Sequence, residues 1–127
     1  MRLAAIEDEF GPKVNVEWRS FLLRPEPEPR TMEKFARYTT SWETPGSMEP
    51  RTTFNPWNGK HEPPSHSVPS SVAGKAAQTF GPDIYRAFSF AMFGAYFTDN
   101  RTISERSVQL DIAVGRHRPQ RWRTAQR

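Results

Sequence analysis

Most of the chain carries apolar side chains at helical spacing. Leu3, Ile6 and Phe10 recur three or four residues apart, which is typical of one face of an amphipathic helix. Four later stretches repeat this spacing. The pattern predicts helices over residues 2–10, 31–40, 71–80 and 84–99, and a last helix after residue 104.

Polar residues stand where several of these helices are expected to begin. Thr31, Asp83 and Ser104 each precede a helical stretch, and their side-chain oxygens can accept a hydrogen bond from a free N–H group of the first turn. Gly11 and Pro12 follow the first helix, where glycine ends a helix and proline cannot continue it. We therefore expect N-caps at the three polar residues and a C-terminal stop at Gly11.

One segment has the period of two that is typical of a β-strand. Val14, Val16 and Trp18 alternate with polar residues, and apolar side chains continue to Leu23. Three prolines in residues 25–29 end the segment because proline lacks a backbone donor. A lone strand leaves its backbone groups unpaired. The sequence thus predicts that a larger α/β domain, an oligomer or another partner covers this strand.

Aromatic residues predict order in two other regions. The stretch 84–99 is apolar on most of its circumference, which predicts a helix buried on several sides. Residues 41–70 are rich in proline and small polar residues, but they contain Trp42, Phe54 and Trp57. Large rings bury much apolar area, so we expect a loop that its aromatic side chains hold in place.

Composition changes this picture little, except at the C-terminus. The chain has 127 residues, a net charge of +4 and a pI of about 9.9. Five of its 18 basic residues lie in residues 115–127, where no acidic residue occurs, so the rest of the chain is close to neutral. A nucleic-acid-binding protein usually spreads Lys and Arg over a folded face. Nucleic-acid binding is therefore expected only through this tail.

Several classes of chemistry are excluded or disfavoured. The chain has no cysteine, which excludes thiolate metal sites, disulfides and a cysteine nucleophile. His61 and His66 are five residues apart with Pro63 and Pro64 between them, so they cannot form the helical zinc motif with its four-residue spacing. We expect no metal site. No signal peptide or membrane-spanning stretch is visible, which predicts a cytoplasmic protein without membrane contact.

Two stretches of the sequence are distinctive. Residues 14–26 read VNVEWRSFLLRPE, and a stretch beginning at Pro63 ends with AYFTDNRTIS at residues 95–104. The first resembles the second strand of the DsbA-like oxidoreductases, in the branch of the polyketide-pathway disulfide isomerases and hydroxychromene-carboxylate isomerases. The second resembles the helical insertion of that branch. The resemblance covers residues 2–113.

The resemblance implies an α/β fold. Residues 1–114 would form a partial thioredoxin-like domain, mostly the helical insertion plus the strand Val14–Leu23, and residues 115–127 would be a disordered basic tail. The family exchanges thiols and disulfides by a Cys-x-x-Cys pair and a cis-proline, which would here lie before Met1 and beyond residue 114. No catalytic residue is therefore carried over, and no cofactor is expected.

The same resemblance suggests one substrate-contacting segment. Ser65, His66 and Ser67 match the loop that borders the family's active-site groove, where they would face a thiol or disulfide substrate or glutathione. A helix-capping role accounts for these residues equally well. Three functional hypotheses remain: a DsbA-like protein that lacks its own redox pair, a protein-interaction module that uses an exposed aromatic helical face, and nucleic-acid binding by the arginine-rich tail.

Overall fold

The computed structural model describes residues 2–115 of the chain, and these residues form an all-helical body. Two 3₁₀ turns, Gly11–Lys13 and Thr40–Trp42, and a π turn, Gly94–Thr98, connect or extend the helices. The helices are α1 (Arg2–Phe10), α2 (Met32–Thr39), α3 (Glu43–Met48), α4 (Val68–Gln78), α5 (Pro82–Phe93) and α6 (Arg106–Ala113).

The predicted α/β class, a partial thioredoxin-like fold with the strand Val14–Leu23, is wrong. Residues 2–115 contain no strand and no sheet. The backbone of Val14 is extended, with φ −125° and ψ 145°, and Val14, Val16 and Trp18 are half-buried while the polar residues between them are exposed. A period of two thus reports which side chains face the body. It does not report whether the backbone pairs with a neighbour.

Helix positions follow the hydrophobic pattern more closely than helix caps do. Thr31 is the N-cap of α2, where its hydroxyl accepts a hydrogen bond from Lys34 N at 3.3 Å, and Gly11 takes a positive φ of 53° after α1, both as predicted. Asp83 and Ser104 do not cap. Asp83 lies inside the first turn of α5, because Pro82 already starts that helix, and the N-cap of α6 is the residue after Ser104.

The long apolar helix predicted over residues 84–99 is interrupted by the π turn. At this turn the backbone hydrogen bonds span more than the four residues of an α-helix. Asp99 N donates to Gly94 O, five residues back, at 3.0 Å, and Arg101 N donates to Ala95 O, six residues back, at 2.8 Å. Burial is also less complete than predicted, since 52% of Ile84 remains exposed and Met92 is the buried apolar residue of α5. The apolar circumference of this helix is therefore only partly covered.

Two apolar clusters form the core. One lies between α5 and α6 and contains Met92, Ala95, Val108 and Ile112. The other consists of aromatic rings from α2, the 3₁₀ turn Thr40–Trp42 and the loop before α4. It contains Phe35, Trp42 and Trp57, with Tyr96 and Phe97 of the π turn packed against it. The π turn thus belongs to both clusters and joins them.

The loop predicted over residues 41–70 is shorter than predicted, because Glu43–Met48 form α3 and α4 already begins at Val68. The remaining loop, residues 49–66, is ordered by its aromatic side chains. Trp57 is buried, and its indole Nε1–H donates to His61 O at 2.8 Å. The rings of Phe54 and Phe97 lie 4.9 Å apart, and those of Phe35 and Trp57 lie 5.1 Å apart. Residues 116–127 of the predicted basic tail lie outside the described residues.

Candidate protein-binding site

The predicted groove residues Ser65, His66 and Ser67 lie just before α4, and their polar groups bond to the protein itself. The hydroxyl of Ser67 accepts a hydrogen bond from Arg24 N at 2.9 Å, and Ser67 N donates to Arg24 O at 2.7 Å. This reciprocal pair fastens the end of the extended segment to the start of α4. Ser67 thus has a structural role in the chain.

Ser65 and His66 form a local pair. The Ser65 hydroxyl lies 2.7 Å from His66 Nδ1, and the Ser65 backbone N–H donates to the hydroxyl of Ser104 at 3.1 Å. A catalytic Ser–His pair needs a third group that orients the imidazole. Among residues 2–115 no carboxylate is hydrogen-bonded to His66, and no group of three or more His, Asp or Glu residues is placed to hold a metal ion.

The NRTIS turn at residues 100–104 binds the aromatic loop to the body. Asn100 is fully buried, and its Oδ1 accepts from Asn58 N at 2.8 Å while its Nδ2 donates to Asn55 O at 3.0 Å. Thr102 donates its hydroxyl hydrogen to Glu62 O at 2.5 Å. These buried polar groups have hydrogen-bond partners inside the protein, so the turn has a structural role and holds the aromatic loop in place.

Tyr96 is the residue of this region whose proton affinity is most altered. Burial in the aromatic cluster raises the pKa of Tyr96 to about 12, and the nearby Arg30 guanidinium partly opposes the shift. Arg30 also lies over the Phe35 ring, with its Cζ 4.9 Å from the ring centroid. At neutral pH the Tyr96 hydroxyl is therefore protonated and uncharged.

An exposed apolar surface lies on the extended segment. Phe21 and Leu23 are 81% and 75% exposed, which is unusual for such large apolar side chains in a row. Two contacts hold the segment along α4: Gln78 Nε2 donates to Trp18 O at 3.3 Å at one end, and Arg24 pairs with Ser67 at the other. The segment therefore runs antiparallel to α4, beside this helix.

Two further large apolar side chains are exposed on α4 and just after its C-terminal end. Val72 on α4 is exposed, and Phe80, two residues after its end, is 76% exposed. We define residues 14–23 together with Phe80, which lies two residues beyond Gln78, as the edge surface. Sequence analysis singled out the segment but not Phe80.

Most backbone groups of residues 15–23 in the edge surface have no hydrogen-bond partner in the described part of the chain. Within residues 15–23, the Trp18 carbonyl accepts from Gln78, and no other backbone group of this range has a hydrogen bond to the described part of the chain. Exposed backbone groups in an extended segment are a template for pairing with another strand. The edge surface thus offers both apolar side chains and a free ladder of donors and acceptors.

Comparison with family models, with curated proteins and with solved structures finds no match to this chain. The resemblance to DsbA-like oxidoreductases therefore stays a prediction. Separately, none of the helices among residues 2–115 combines the length and the apolar character that a bilayer crossing needs.

Proposed function

We propose that this chain is a protein-binding element and that the edge surface is its contact site. The observation that carries the proposal is the coincidence of a largely unpaired backbone with the highly exposed side chains of Phe21 and Leu23 on the same segment. Contiguous apolar surface of this kind marks interaction sites in soluble proteins. Binding would remove these side chains from water and pair the backbone in one step.

The proposal does not include catalysis by the chain's own residues. Thiol–disulfide exchange needs a thiolate, and the sequence contains no cysteine. The Ser67 hydroxyl accepts the Arg24 N–H, so it holds the segment in place for binding. If the chain is related to DsbA-like proteins, it acts here by contact with a protein and not by redox chemistry.

Site-specific photo-crosslinking in cells that produce the chain tests the proposal. A photoreactive phenylalanine analogue at position 21 is compared with the same analogue at Tyr38, which is also exposed but lies on α2, away from the edge surface. We expect position 21 to give discrete protein adducts, identified by mass spectrometry. We expect position 38 to give none of these adducts.

Comparison of positions 21 and 38 separates specific binding from non-specific hydrophobic capture. Both side chains are aromatic and exposed, so non-specific capture would label both positions alike. A third position supplies the loss-of-binding control. With the photoreactive analogue at Phe80, the otherwise native chain should form adducts, and the double variant Phe21→Ser, Leu23→Ser should lose them, because the apolar part of the surface is removed. Equal labelling from positions 21 and 38, or no labelling from position 21, would refute the proposed function.

A further inference from the structure

The extended segment has two backbone edges with different surroundings. In an extended chain, successive residues point their N–H and C=O groups to opposite edges and their side chains to opposite faces. The Trp18 carbonyl points toward α4, where it accepts from Gln78. In a segment that stays extended, the backbone groups of the other even-numbered residues lie on the same edge as the Trp18 carbonyl, and those of the odd-numbered residues from Asn15 to Phe21 lie on the opposite edge.

Glu17 and Arg19 lie together on the outer face. The Arg19 guanidinium bonds to Glu17 Oε1 through Nη2 at 2.8 Å and through Nε at 3.1 Å. In an extended backbone, side chains two residues apart lie on the same face, so this ion pair fits an extended segment. Opposite charges thus stand on either side of Trp18, on the outward-facing residues of the free edge.

This charge order is self-complementary under two-fold symmetry. If a second, antiparallel copy of the segment pairs with the first about an axis at Trp18, then Glu17 stands opposite Arg19 of the second copy, and the reverse pair forms by symmetry. The same register places Asn15 opposite Phe21. In this antiparallel register the odd-numbered pairs are the hydrogen-bonded ones. The new hydrogen bonds would therefore form along the edge that has no partner in the single chain.

We infer that the partner of the edge surface is a second copy of this chain, joined through an antiparallel two-stranded ribbon of residues 15–21 with its two-fold axis at Trp18. This inference rests on the proposed function and names its partner. The interface would contain two cross-strand ion pairs between Glu17 and Arg19. It would also contain four odd-numbered residues of each copy in the ladder and the exposed Phe21 ring.

The absence of native cysteine makes disulfide trapping a clean test of this register. Glu17→Cys and Arg19→Cys chains of different mass are mixed in equal amounts and oxidised. In the inferred register position 17 of one copy faces position 19 of the other at about 5.5 Å between Cα atoms, within disulfide reach. Identical positions lie about 7 to 8 Å apart, which is beyond it.

The mixed pair also keeps one native ion pair, since the first chain retains Arg19 and the second retains Glu17. We expect the 17–19 heterodimer in large excess over the one-half share that random pairing gives. A mixture of Asn15→Cys and Arg19→Cys places the two cysteines on a diagonal and not opposite each other, so it should form much less heterodimer than the 17–19 mixture. A random share from the 17–19 mixture would overturn the inference.

A charge-reversal series supplies a second measurement by sedimentation. Glu17→Arg places like charges opposite each other twice and should weaken the dimer about tenfold. Adding Arg19→Glu restores complementarity and should recover the native dissociation constant. A chain that sediments as a monomer at every concentration would also overturn the inference. If photo-crosslinking from position 21 then captures a different protein, the proposed function stands without the second copy. If it captures nothing, both fail.

Discussion

At the scale of a single residue, Asn100 joins the loop that contains residues 55 and 58 to the turn after α5. It is fully buried, it holds a left-handed φ of 51°, and its side chain bonds to the backbone of residues 55 and 58. Asn100→Ala should lower the free energy of unfolding by about 2 to 4 kcal/mol, because buried backbone groups lose their partners.

The variant Asn100→Gly separates the two contributions at this position. Glycine also loses the side-chain bonds, but it takes a positive φ without strain. We expect Asn100→Gly to be more stable than Asn100→Ala by about 1 kcal/mol in urea unfolding followed by tryptophan fluorescence. Equal stability of the two variants would show that the backbone conformation carries no cost here.

Tyr96 makes stability depend on pH in the alkaline range. Burial raises its pKa to about 12 from an ordinary value of 10, so between these pH values the folded state holds a proton that the unfolded state has released. The stabilisation is complete below pH 10 and is lost as pH rises toward 12, by about 2 to 3 kcal/mol. Tyrosinate absorbance should show this late ionisation. Its persistence in Tyr96→Phe would contradict the assignment.

At the scale of elements, Ser67 links the extended segment to α4. Ser67→Ala removes the acceptor of the Arg24 N–H and should lower the free energy of unfolding by about 1 kcal/mol. Ser65→Ala is the matched control, since the exposed Ser65 hydroxyl bonds to the neighbouring His66 and should change stability by less than about 0.5 kcal/mol. If Ser65→Ala destabilises as much as Ser67→Ala does, the anchoring role of Ser67 is wrong.

Periodicity predicted five of the six described helices but missed α3, which contains Pro45 and Gly46. It placed helix ends less well, for a physical reason. Apolar spacing depends on the face that packs, so α2 was found within one residue at each end. Caps depend on which nearby group takes each free N–H. Ser104 was predicted to cap α6, but its hydroxyl accepts from Ser65 N, 39 residues away in the sequence, and no local pattern contains that contact.

At the scale of the whole molecule, the same limit explains the wrong fold class. The alternation at Val14, Val16 and Trp18 correctly marked the side chains that face the body. Pairing of their backbone is a long-range property, and residues 2–115 supply no neighbouring strand. The candidate site follows the same division. Ser65, His66 and Ser67 were predicted by resemblance alone, and their place in a substrate groove stays a prediction, whereas the edge surface depends on how the segment lies along α4.

The central claim is that the outer edge of the extended segment forms a backbone ladder with a second chain. Amide hydrogen exchange tests it most directly, with the N–H groups of Glu17, Arg19 and Phe21 followed in dilute and in concentrated protein. The Asn58 N–H, which is bonded to Asn100, serves as the internal reference. Protection of the three amides that rises with concentration is the predicted result. Equally rapid exchange of all three at every concentration would contradict the claim.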